Sequence, residues 1–76
     1  MKNYKYTIDI LPEADGKGYY VVVPALPGCY SQGSTVEEAL QNAEEAIALH
    51  VSELKRTGEG VPIEGSSFQS IVEVAA

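Results

Sequence analysis

Carboxylates, a thiol, an imidazole and a set of tyrosines are the side chains here whose types could carry chemistry. Asp9, Glu44, Glu45 and Glu73 fall on strand, helix and strand, the element types from which a two-metal nuclease site is built. Side-chain parity keeps them apart. Asp9 alternates with Ile8 and Ile10, so it faces away from whatever those residues pack on. Glu73 alternates with Val72 and Val74 in the same way, and Glu45 falls on the far side of its helix. A solvated acidic surface is the reading that remains. His50 and Cys29 have the types of a base and a nucleophile, but nothing in their spacing brings them together. They read as a half-buried imidazole and an inert buried thiol. One Cys and one His also fall short of the four Cys/His ligands of structural zinc. Gly16-x-Gly18 lies between two strands and Gly58-x-Gly60 follows a helix, so neither is placed to cradle a phosphate. Tyr4, Tyr6, Tyr19, Tyr20 and Tyr30 have the faces on which bases stack. The basic groove that accompanies such platforms is missing, with only Lys2, Lys5 and Lys17 nearby, so sheet packing is the expectation for the tyrosines. No catalytic residue, metal or cofactor is expected, and the chain is read as a protein that is not an enzyme.

The elements that position these residues follow from periodicity. Tyr4, Tyr6, Ile8 and Ile10 alternate with Lys5, Thr7 and Asp9, which predicts a strand with one buried face. Leu11-Pro12 ends it, and Asp15-Gly16 and Gly18 supply a turn. Tyr19 to Val23 is β-branched and aromatic, a second strand antiparallel to the first. Pro24 and Pro27-Gly28 bend the chain, and Cys29 to Gln32 forms a short third strand stopped by Gly33. Val36, Ala39, Leu40, Ala43, Ile47, Val51 and Leu54 then recur at helical steps. Ser34 with Glu37 and Thr35 with Glu38 make two overlapping capping boxes, of which Thr35 is preferred because Val36 opens the stripe. Lys55 and Arg56 suit the last turn, and Gly58 terminates it. Glu59 to Ser67 reads as an ordered loop and Gln69 to Val74 as a final strand. The expectation is an α+β fold, β-β-β-α-β, with one long helix on one face of a four-stranded sheet.

The chain has 76 residues, which is one domain over 1–76. A domain this short buries only about 60% of its unfolded surface and often needs outside support. A single cysteine excludes an internal disulfide, leaving association as that support. No run of about 20 apolar residues crosses a membrane, and no apolar leader precedes the first strand. With a free thiol, the cytoplasm is the simplest location. Five Lys and Arg against eleven Asp and Glu give a net charge of −6, which disfavours direct nucleic-acid binding and suits a basic protein partner.

Two surfaces are left without cover. The second strand is apolar on both faces, Tyr19, Val21 and Val23 on one and Tyr20 and Val22 on the other, the pattern of a strand buried on both sides. Tyr20 and Val22 are therefore candidates for self-association, as a homodimer or tetramer. At 100° per residue Leu49 falls among Glu38, Asn42, Glu45 and Glu53, opposite the apolar stripe. Glu38, Glu45, Leu49 and Glu53 are the candidate contact for another protein, a choice resting on helix geometry alone.

Pro24-Ala25-Leu26-Pro27-Gly28-Cys29-Tyr30-Ser31-Gln32-Gly33-Ser34-Thr35-Val36-Glu37-Glu38-Ala39-Leu40-Gln41-Asn42-Ala43 resembles the HicB-like antitoxin family. The pattern is Pro-x-Leu-Pro-Gly-Cys, a short strand, Gly-Ser-Thr, then Glu-Glu-Ala and Asn-Ala on a helix. Gly18-Tyr19-Tyr20 and Gly60-Val61-Pro62 extend it over nearly the whole chain. These residues mostly build scaffold, so the motif speaks to fold before function. The resemblance implies a degenerate ribonuclease H-like fold whose last strand lies beside the first and parallel to it, making the sheet mixed. It implies an antitoxin that binds and neutralises a small basic HicA-type toxin, an mRNA-cleaving ribonuclease. Many members carry a C-terminal DNA-binding module; the sequence reaches Ala76 directly after the last strand, so such a module is not expected here. The alternatives are an orphan regulatory or ligand-binding module of the same fold, and a residual metal-dependent nuclease.

Overall fold

The computed structural model describes residues 3–63 and 70–75. Three strands, β1 (Asp9–Pro12), β2 (Tyr19–Val22) and β3 (Tyr30–Gly33), precede one helix, α1 (Val36–Arg56). The sheet has the order β1-β2-β3 with both pairings antiparallel. Ile10, Val21 and Ser31 share one register row and Leu11, Tyr20 and Gln32 the next, so the rows point to opposite faces. Val21 is fully buried and defines the inner face, against which α1 packs.

The first strand is shorter than its alternation. Tyr4, Tyr6 and Ile8 keep the expected half-buried parity and pack on the core. The ladder starts only at Asp9, opposite Val22, because β2 ends there and the chain bends away at Pro24. Residues 4–8 run past the end of the neighbouring strand. The core itself holds Val21, Val23, Leu26, Cys29, Ala39, Ala43 and Val51. Leu26 and Val21 are its largest fully buried side chains. Leu26 sits between two turns, its N–H donating to Val23 O at 3.0 Å and its carbonyl accepting from Cys29 N at 3.0 Å. The Pro-rich bend is thus not merely a connection: it folds an apolar plug into the core.

α1 begins where the sequence places it. Thr35 is extended (φ −128°, ψ 164°) and its hydroxyl accepts from Glu38 N at 3.0 Å. The return arm of the capping box differs: the Glu38 carboxylate accepts from Ser34, its amide at 3.2 Å and its hydroxyl at 2.9 Å. The C-terminus closes as a Schellman motif. Glu59 N donates to Leu54 O at 2.9 Å and Gly58 N to Lys55 O at 3.2 Å, with Gly58 at φ 77°.

Gly33 explains how closely helix and sheet approach. A Cβ there would lie 2.8 Å from both the Ala39 Cα and the Glu38 carbonyl carbon. The expectation that Gly33 lets the chain leave β3 is therefore incomplete; the residue is small because α1 rests on it. Asn42 fixes the same junction, its Nδ2 donating to Gln32 O at 2.8 Å.

Among the described residues the sheet has three strands, and the expected fourth is not seen in it. Gln69 lies outside the described residues; residues 70–75 carry no strand pairing and are exposed, Ile71 at 98%. Strand-like composition does not make a strand without a ladder partner. The described sheet is three-stranded and antiparallel, not four-stranded and mixed.

Candidate functional site

The outer ridge of α1 carries the residues chosen for protein contact. Leu49 is 73% exposed, a large apolar side chain in water with no core role. Glu45 and Glu53 stand one turn to either side of it and are exposed. Their electrostatics differ. Arg56 hydrogen-bonds the Glu53 carboxylate through Nε at 2.9 Å and closes an ion pair with it through its second nitrogen. That guanidinium holds the Glu53 carboxyl below the usual carboxylate range. Glu45 has no ion pair among the described residues. Glu38 is exposed too, but its carboxylate is committed to Ser34. The ridge therefore centres on Leu49 and Glu45, with Glu53 partly neutralised and Glu38 serving the helix cap.

Tyr20 and Val22 occupy the outer face of the sheet, each half-buried. Register puts Leu11 beside Tyr20 and Tyr30 beside Val22 on that same face. Tyr30 is 67% exposed. Leu11 and Tyr30 were legible only as a strand end and a short strand, because their face depends on a register the sequence does not spell out.

Two grooves flank the helix. One, of about 500 Å³, runs between Tyr4 and Tyr6 on one wall and Ile47, Ala48 and Val51 on the other. Tyr4 and Tyr6 stack with ring centroids 6.4 Å apart, and Lys55 Nζ lies 5.0 Å from the Tyr4 centroid. The Tyr6 hydroxyl donates to Pro62 O at 2.6 Å, which brings the chain after α1 back across the first strand. The other, of about 540 Å³, is polar and lies where the β1–β2 turn meets the start of α1, at Glu13, Asp15, Lys17 and Glu38.

Among the described residues, no group of three or more His, Cys, Asp or Glu is arranged to hold a metal ion. Asp9 lies on the outer row with Val22 and Tyr30, away from the helix. Cys29 is buried, and burial pushes its thiol pKa up, opposite to what a nucleophile needs. Among the described residues no helix is long and apolar enough to cross a membrane.

A family model described as HicB-like antitoxin of bacterial toxin–antitoxin systems matches residues 6–75. A UPF0150 protein of Thermoplasma acidophilum is 52% identical over 59 residues, covering 76% of this chain and 83% of that one. Antitoxin HicB 1 of Photorhabdus laumondii is 34% identical over 74 residues, 97% of this chain but 47% of that longer protein. Among solved structures, a chain of a HicA3 and HicB3 toxin–antitoxin complex superposes with a TM-score of 0.65 at 31% identity, covering 86% of this chain and 70% of its own.

Proposed function

The chain belongs to the HicB-like antitoxin family, and from that premise we propose that it is the antitoxin of a toxin–antitoxin pair, binding and neutralising a HicA-type toxin in the cytoplasm without catalysis of its own. The observation that supports this most is the likeness, in sequence and fold together, to a chain of a HicA3–HicB3 complex. The acidic balance, −6 overall, fits a basic partner, since complementary charge speeds encounter and sets specificity.

The contact is placed on the α1 ridge of Glu45, Leu49 and Glu53, with Glu38 at its N-terminal end. Leu49 supplies the apolar anchor and the carboxylates its rim, the arrangement of an interface hot spot. Self-association uses the outer sheet face at Tyr20 and Val22, extended by Leu11 and Tyr30. Residues 70–75 supply a fourth strand beside the first, completing the mixed sheet of a degenerate ribonuclease H-like fold within one domain over 1–76.

Co-expression with a HicA-type toxin tests the function. The two should co-purify, and growth arrested by the toxin alone should recover. No binding at micromolar concentration together with no rescue would discard the antitoxin reading and leave an orphan module of the same fold.

A further inference from the structure

The three carboxylates around Leu49 are not equivalent, and the difference gives the α1 ridge a direction. Glu45 has Gln41, Asn42, Ala48 and Leu49 as its helix neighbours at three and four residues. None of these is a cation, and Asn42 is already bonded to Gln32 O. The Glu45 side chain stands exposed, with no ion pair among the described residues. Glu53, by contrast, has Arg56 three residues on and is bonded by two of its nitrogens. Glu38, at the N-terminal end, is bonded by Ser34.

Helix geometry sets these groups in a line. Glu45, Glu53 and Arg56 all lie within about 40° of Leu49 around the axis. Along it, Glu45 precedes Leu49 by about 6 Å and Arg56 follows by about 10 Å. The ridge thus runs from an unmatched negative charge, through an apolar side chain 73% exposed, to a neutral pair that ends in a guanidinium. A basic group approaching it is attracted at the Glu45 end and meets another cation at the Arg56 end. Charge arranged this way fixes orientation, because like charges brought together penalise the reversed approach.

We propose that the ridge takes its partner in one orientation: a lysine or arginine of a basic protein surface pairs with Glu45, one helical turn before an apolar socket that receives Leu49, while Arg56 closes the Glu53 end to a second basic group. This rests on the placement of the toxin contact on the ridge, and adds the chemistry and direction of the surface that fits it. Burial of Leu49 also removes water from the carboxylate one turn away, and an ion pair strengthens as its surroundings lose water.

Affinity measurements on the full chain test this, with a HicA-type toxin that co-purifies with the wild type as the probe. Glu45→Gln and Glu44→Gln each remove one negative charge from an exposed position of α1, so long-range attraction falls equally in both. Glu44 lies about 140° around the helix from Leu49. Glu45→Gln should weaken binding roughly fivefold or more and Glu44→Gln less than about twofold, with helical circular dichroism unchanged in both. Equal weakening by the two would keep the toxin bound yet reduce Glu45 to its share of the net charge, and overturns the inference. Charge reversal gives the second measurement. Glu45→Lys should weaken binding further, and reversal to Glu of one lysine or arginine on the toxin should restore it. If no such reversal restores it, the pairing is overturned while the antitoxin reading stands. A wild type that captures no HicA-type toxin would instead remove that reading, and the orientation with it.

Discussion

Gly33→Ala isolates the contact that sets the spacing of helix and sheet. The added methyl would lie 2.8 Å from the Ala39 Cα and from the Glu38 carbonyl carbon, both backbone atoms of the first turn of α1. Carbon atoms pack best at about 3.5–4.0 Å, so strand and helix must part by roughly an ångström. Overpacking of this kind costs about 1–3 kcal/mol. The same movement pulls on the 2.8 Å bond from Asn42 to Gln32 O, worth about 1 kcal/mol. Against this, alanine restricts the unfolded chain and returns about 0.4–1 kcal/mol. The net loss is about 1–3 kcal/mol, a large share of the roughly 3–5 kcal/mol that a core of this size supplies. Gly60→Ala is the control, because a Cβ there meets nothing within 4 Å. Urea denaturation followed by helical circular dichroism should place the midpoint of Gly33→Ala well below that of Gly60→Ala. Equal midpoints would refute the reasoning, since backbone freedom changes in both variants and only Gly33 touches the helix.

Leu26→Ala should cost about 2–5 kcal/mol, read from the same denaturation curves, because Leu26 is a fully buried side chain of the core; a loss under about 1 kcal/mol would mean the turn is mere connection. Burial raises the Cys29 pKa above the ordinary thiol value of about 8.5. Above that pH the unfolded thiol gives up its proton before the folded one, so the unfolded state binds fewer protons and stability falls as pH rises. The wild type should therefore lose stability from about pH 9 upward relative to Cys29→Ala; parallel pH curves would contradict the shift. Leu49→Asp should leave the urea midpoint within about 0.5 kcal/mol of wild type, as Leu49 is 73% exposed. It should weaken toxin binding at least tenfold, about 1.4 kcal/mol; unchanged affinity by calorimetry would move the contact off this ridge.

Local signals were the most legible. Thr35 next to the first stripe residue, and Gly58 two residues after Arg56, mark the helix ends that the structure shows, because caps depend only on near neighbours. The inner face of β2 was readable from Val21 and Val23, because parity is a property of the strand itself. What failed depends on partners. Tyr4 to Ile8 alternate as a strand does, yet their pairing with β2 begins only at Asp9, because β2 ends at Val22 and the chain bends at Pro24. Ile71 to Val74 have strand composition, yet among the described residues they carry no strand pairing. The roles of Gly33 and Asn42 were hidden for the same reason: one is sized by a helix six residues on, and the other bonds a carbonyl ten residues back.

The candidate contact shows how the same limit acts on charge. Helix geometry alone grouped Glu38, Glu45, Leu49 and Glu53 on one side, three of them carboxylates. Side-chain geometry divides the group. Glu38 completes the cap through Ser34, and Glu53 is matched by Arg56. A matched, fully exposed pair has little left to give a partner, since surface ion pairs contribute weakly. The ridge is therefore apolar at its centre and only thinly acidic around it. Rim charge of this kind governs how fast two proteins meet, whereas the desolvated centre governs how long they stay together. On the proposed contact, then, the overall negative charge of the chain would bring a basic partner in, and Leu49 would retain it.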